Sequence, residues 1–159
     1  MDDNSLQIPP EKIFDRIKVL AETRHYVSAL ALLDIVEEYR EKKEWKYPTA
    51  GLLLSYRGLC TARGKKLRSQ GLEMCRRAVD MEFFHPDCFL NLGRVYLDLK
   101  RRREAHAAFQ KGLALDPSFA PIKSEVEKMG RRRQAPLSFL PRRHFLNRFL
   151  GSLFSRPVK

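Results

Sequence analysis

The sequence predicts an all-α fold of stacked helical hairpins, and three observations carry that prediction. In the stretch PDCFLNLGRVYLDLKRRREAHAAFQKGLALDP, Phe89, Leu92, Gly93 and Tyr96 recur at helical spacing and share one face. After a polar turn at residues 100–103, Ala105, Ala108, Phe109 and Gly112 repeat that spacing, and Pro117 closes the unit. A step of 34 residues back from Ala105, Phe109 and Gly112 lands on Gly71, Cys75 and Ala78, which are small or apolar in the same order. Finally, only 8 Gly and 9 Pro punctuate 159 residues, and no stretch alternates apolar with polar, so a sheet has little sequence to form from.

Each element follows from the same patterning. Residues 1–10 read as an N-terminal extension. Residues 10–21 form a helix with Ile13, Phe14, Ile17, Leu20 and Ala21 on one side. A second helix, ending near Lys43, carries the stripe Ala29, Leu30, Leu33, Val36 and Tyr39, so residues 11–43 make a first hairpin. From Ala29 to Gly71 is 42 residues rather than 34, which predicts a longer connection through Trp45, Tyr47 and Pro48.

The second hairpin spans residues 50–83. Leu54, Gly58 and Cys60 mark its first helix, and Gly58 stands one position out of register with Gly93, which predicts one extra residue between its two helices. The third hairpin spans residues 86–117. A glycine inside a helix costs about 1 kcal/mol relative to alanine, so Gly93 is expected to serve packing. With Ala105 it should let the two helices approach closely, while Phe89, Tyr96 and Phe109 fill the space on either side. Residues 118–130 read as one more helix, with Phe119, Ile122, Val126 and Met129 inward, closing residues 11–130 as a repeat domain.

At Arg131 the composition breaks. The last 29 residues hold no Asp or Glu, and they carry eight of the chain's net twelve positive charges. Within this basic tail, residues 144–156 form an amphipathic helix on paper, with Phe145, Leu146, Phe149, Leu150, Leu153 and Phe154 on one side. Six large apolar side chains on so short a helix need a surface to cover them. The surface expected is the chain itself, a second copy in a homodimer, another protein, or an anionic membrane.

The order Phe89, Leu92-Gly93, Tyr96, Ala105, Phe109, Pro117 resembles the tetratricopeptide repeat, with Gly112 where that family usually has alanine. The resemblance implies a right-handed α-solenoid of about three hairpins. It also implies that the first helices of successive hairpins line a concave groove for a protein or peptide ligand. By that analogy the partner-binding positions are Asp87, Leu90, Arg94, Leu97 and Asp98 in the third hairpin, and Ser55, Leu59, Ala62 and Arg63 in the second. The leucines would hold apolar side chains and the arginines acidic groups. One variant of the family clamps a terminal carboxylate with Lys and Arg where Asp87 and Asn91 stand here, so that clamp is not expected. Small bacterial secretion chaperones resemble this chain in size and repeat number and hold apolar segments of clients. They are the alternative reading, although they lack so basic a tail; a membrane-anchored adaptor is another.

Catalysis finds no support in the sequence. His25, His85, His106 and His144 stand apart from one another, and no phosphate loop or nucleophile elbow is present. No catalytic, cofactor or metal residue is assigned. Cys60, Cys75 and Cys88 lack metal-ligand spacing and read as buried, reduced thiols. The acidic start, MDDNSLQIPPEK, is unlike a signal peptide, and no run is apolar enough to span a bilayer, so a cytoplasmic protein is expected, or one peripheral to the inner membrane face.

The net charge of +12 points to anionic partners or surfaces. Arg63, Lys65, Lys66 and Arg68 in one hairpin turn, and residues 100–103 in the next, would align as a positive ridge where stacked turns share an edge. Nucleic acid is disfavoured, because no aromatic side chains interleave these clusters.

Overall fold

The computed structural model describes residues 10–43 and 47–130. The N-terminal extension before Pro10 and the basic tail with its apolar face from Phe145 to Phe154 lie outside the described residues. Two compact units divide the chain, Met1–Val126 and Glu127–Lys159. Of the second, only the last turn of the seventh helix is described; the hairpins all belong to the first.

Among the described residues the chain forms seven α-helices and no strand: α1 Pro10–Glu22, α2 Tyr26–Lys43, α3 Ala50–Gly64, α4 Arg68–Met81, α5 Pro86–Asp98, α6 Arg102–Leu115 and α7 Ala120–Gly130. Sequence neighbours pair as hairpins, α1 with α2, α3 with α4 and α5 with α6. The hairpins then stack, so that α3 packs on both helices of the first pair and α5 on both helices of the second. Phe14, Ile17, Leu33, Leu52, Leu53, Leu59, Leu90, Val95, Phe109 and Ile122 fill the core between them. The chain is thus an all-α stack of helical repeats.

The extra residue expected in the second hairpin is in its turn. After α1, His25 N–H donates to Leu20 O and Arg24 N–H to Ala21 O; after α5, Arg101 N–H donates to Tyr96 O and Lys100 N–H to Leu97 O. Both are Schellman closures. After α3 the matching bond runs from Leu67 N–H to Thr61 O, one residue wider. In all three turns a basic residue takes the left-handed position: Arg24 (φ 66°), Lys66 (φ 58°) and Lys100 (φ 61°).

The seams close differently from one hairpin to the next. In the second, a Cβ on Gly58 would lie 2.7 Å from Cys75 Sγ and 2.8 Å from the carbonyl oxygen of Gly71, and a Cβ on Gly71 would overlap Gly58 in return. Backbone there meets backbone. In the third, a Cβ on Gly93 would overlap the Phe109 ring. Phe109, expected to one side of the close approach at Gly93 and Ala105, instead occupies the glycine's space. Ala105 is buried at the seam, but the atoms nearest Gly93 belong to a side chain, because Phe109 is large enough to reach across.

Two smaller expectations also change. Tyr39 is exposed rather than part of the α2 stripe. On α7, Ile122 alone is fully buried, its Cδ1 seated against Gly112, while Phe119 precedes the helix and is half-buried.

Candidate functional site

The candidate groove is built on α3 and α5, so the surroundings of those helices decide what it can do. On α5 every residue from Cys88 to Tyr96 is buried, a run longer than two helical turns. A helix buried around its whole circumference has neighbours on every side. Leu59 and Leu90, expected as contacts for a partner, are 0% and 1% exposed and belong to the core. That part of the expectation is corrected, and the reason is stacking: a first helix in mid-stack is flanked by a hairpin before it and a further helix after it. Ser55 and Ala62 are buried as well, while Arg63, Asp87, Leu97 and Asp98 are half-buried.

The polar residues of this face are joined to one another. Tyr56 Oη donates to Asp87 Oδ1 at 2.7 Å, and Asn91 Nδ2 donates to Ser55 Oγ at 3.1 Å. Burial, with the Asp87 carboxylate beside it, holds the Tyr56 phenol well above its usual range. Arg63 donates from Nε to Asp98 Oδ2 at 2.7 Å and from Nη2 to Oδ1 at 3.2 Å. This links the C-terminal ends of α3 and α5. Burial opposes the Arg63 charge, but Asp98 outweighs it and keeps the guanidinium charged.

Arg94 is the centre of the face. Nη1 and Nη2 donate to Glu22 Oε1 and Oε2 at 2.6 and 3.0 Å, and Nε donates to Glu125 Oε1 at 3.1 Å. One buried guanidinium therefore gathers carboxylates from the first and seventh helices, 72 residues apart in the case of Glu22. The two acids differ in access: the Glu22 side chain is 52% exposed and that of Glu125 14%. Sequence reasoning singled out Arg94 but missed both acids, because nothing in the local pattern of α1 or α7 marks Glu22 or Glu125 as different from a solvated surface glutamate.

The turn edge is arranged otherwise. A cleft of about 400 Å³ opens where the first two hairpin turns adjoin, lined by Arg24, Tyr26, Ala62, Arg63, Lys66, Arg68 and Asp98. The expected ridge joined the second and third turns. The cleft joins the second turn to the first, and neither Lys65 nor residues 100–103 line it.

Cys60, Cys75 and Cys88 are buried free thiols. Burial pushes Cys60 and Cys88 up to about 12, and Cys75 further in the same direction. Among the described residues no three His, Cys, Asp or Glu side chains gather as a metal-ligand set, and no helix is long and apolar enough to cross a membrane.

The family model described as Tetratricopeptide repeat matches residues 86–119, the hairpin α5–α6 with the turn after it. One tetratricopeptide repeat is therefore present, at residues 86–119. No curated protein matches this repeat protein in sequence. Among solved structures it is similar to the TPR domain of Arabidopsis OM64, at 15% identity and a TM-score of 0.54, covering 76% of this chain and 93% of that one. It is likewise similar to the Sgt2 TPR domain from Aspergillus fumigatus, at 15% identity and a TM-score of 0.53, covering 87% and 93%. At such identity the likeness shows the fold alone.

Proposed function

We propose that the chain is a non-enzymatic scaffold that binds a protein or peptide carrying an acidic group through the first-helix face of its hairpins, at Arg94. The observation that carries this reading is the Glu22–Arg94–Glu125 cluster. Two carboxylates on one guanidinium leave a negative charge in excess, so one of them can leave without stranding a buried cation. Glu22, whose side chain is 52% exposed against 14% for Glu125, is the exchangeable one. An incoming carboxylate takes its place on the Arg94 fork with the charge balance kept. The half-buried Arg63, Asp87, Leu97 and Asp98 supply the surrounding contacts.

The test is an array of acidic and neutral peptides probed with the full chain and with Glu22→Gln, which removes the internal competitor. Acidic peptides should bind Glu22→Gln several-fold more tightly than the parent. Capture that Glu22→Gln leaves unchanged, or that favours neutral peptides, would end the proposal.

The alternative, a chaperone for apolar client segments, draws on a different observation. Phe83 and Phe84, 68% and 59% exposed, stand edge to face in the α4–α5 connection, an adjoining apolar surface that a client segment could cover. Suppression of client aggregation that is lost in Phe83→Ser/Phe84→Ser would favour it. For the tail the proposal is docking on the chain itself, on a second copy or on an anionic membrane. Retention on anionic but not neutral vesicles, lost in Phe145→Ser/Phe149→Ser, selects the membrane.

A further inference from the structure

We propose that the cleft between the first two hairpin turns is a binding site for a compact anion carrying two or more phosphate groups. Four cationic side chains converge on it: Arg24 from the α1–α2 turn, Arg63 from the end of α3, Lys66 from the next turn and Arg68 from the start of α4. The one carboxylate in its wall, Asp98, is held by Arg63. Among the described residues no hydrogen bond or ion pair engages the side chains of Arg24, Lys66 or Arg68, so three positive charges face the cavity without a counterion.

Helix chemistry accounts for part of this arrangement. A helix C-terminus favours a cation, which explains a basic residue at each of the left-handed turn positions, Arg24 and Lys66 included. It does not explain Arg68, which opens α4. A helix N-terminus carries partial positive charge and favours an anion. Here α4 begins with an arginine, has no side-chain cap at Leu67 and has no acidic residue in its first turn. Cation on cation at an uncapped N-terminus is unfavourable by itself and becomes favourable once an anion bridges the two.

The chemistry of the lining selects the anion. Arginine forks pair bidentately with phosphate oxygens, lysine supplies a point charge, and the half-buried Tyr26 hydroxyl, 3.4 Å from Arg63 Nη1, is held where it can donate into the cavity. An excess of three charges suits a pyrophosphate-like group better than one carboxylate. A volume of about 400 Å³ exceeds what a lone phosphate fills and lies in the range of ordinary ligand pockets. Such a group reaches the cleft either as a free oligophosphate or as the phosphorylated inositol headgroup of a membrane lipid.

Titration of the full chain with inorganic pyrophosphate at about 0.15 M ionic strength, followed calorimetrically, tests the site. Saturable binding is expected, weakened at least about tenfold in Lys66→Ser/Arg68→Ser. A control pair outside the cleft, Arg101→Ser/Arg103→Ser, removes the same charge and should change affinity less than about twofold. All four residues are exposed, so both variants should keep their helical circular dichroism. In a second arm, vesicles containing a bisphosphorylated inositol lipid should retain the parent but not Lys66→Ser/Arg68→Ser if the source is a headgroup; pyrophosphate binding without vesicle retention assigns a free ligand. Absence of saturable binding, or equal weakening in the two charge-matched variants, overturns the proposal.

Discussion

Arg94 and Arg68 carry the same side chain within one stack of hairpins, yet the molecule treats them in opposite ways. Arg94 is 6% exposed, and two carboxylates from distant helices meet on its fork. Arg68 stands exposed in a cleft with three other cations, and the one carboxylate lining that cleft, Asp98, is held by Arg63. A cation can be carried into the interior only with its partners, because an isolated buried charge is costly; at a turn, water screens it and no partner is required. The first region is therefore closed and internally satisfied, and the second is open and unbalanced. An acidic ligand must displace something to reach Arg94 and nothing to reach Arg68.

The largest expected effect tests how closed the first region is. Leu90→Ala should lower unfolding stability by about 3 kcal/mol, read from urea denaturation, whereas Leu97→Ala, half-buried, should cost less than half of that. Equal small effects would mean that Leu90 faces an open groove after all. Next comes the guanidinium. Arg94→Ala takes the cation from between Glu22 and Glu125 and should cost about 2 to 3 kcal/mol, below the usual figure for a buried pair because Glu22 can turn to water.

A smaller effect depends on pH. Burial holds the Cys60 thiol at about 12 against an ordinary 9.0, so the folded state keeps a proton that the unfolded state gives up. Stability from this group is complete below pH 9 and is lost as pH rises from 9 towards 12. Urea midpoints at pH 8 and pH 10 should therefore differ more in the parent than in Cys60→Ala. The smallest effect belongs to the open region. Lys66→Ser/Arg68→Ser should move stability by no more than about 0.5 kcal/mol, in the stabilising direction at low salt as like charges are removed. A larger loss would show these cations already paired and the contrast with Arg94 misplaced.

Much of the fold is legible along the chain, for a local reason. Helical periodicity and a 34-residue echo are carried by side chains a few positions apart, so the third hairpin, the second behind it and the wider second turn can each be read directly. The sealing of the face around α5 leaves a weaker signal: CFLNLGRVY is apolar on nearly every side, as a helix enclosed by neighbours must be. Seam chemistry is not legible. Gly58 faces backbone while Gly93 faces the Phe109 ring, and both read simply as glycine within a helix.

By itself the sequence determined an all-α stack of hairpins and their turns, because those depend on spacings within one or two helices. Tertiary structure alone decided that Glu22 and Glu125 would meet on Arg94, and that a cleft lined by cations of the first and second turns would open between them. Both depend on how far each hairpin is rotated against the next. That angle is set by the fit of whole helix faces, and no short run of residues encodes it.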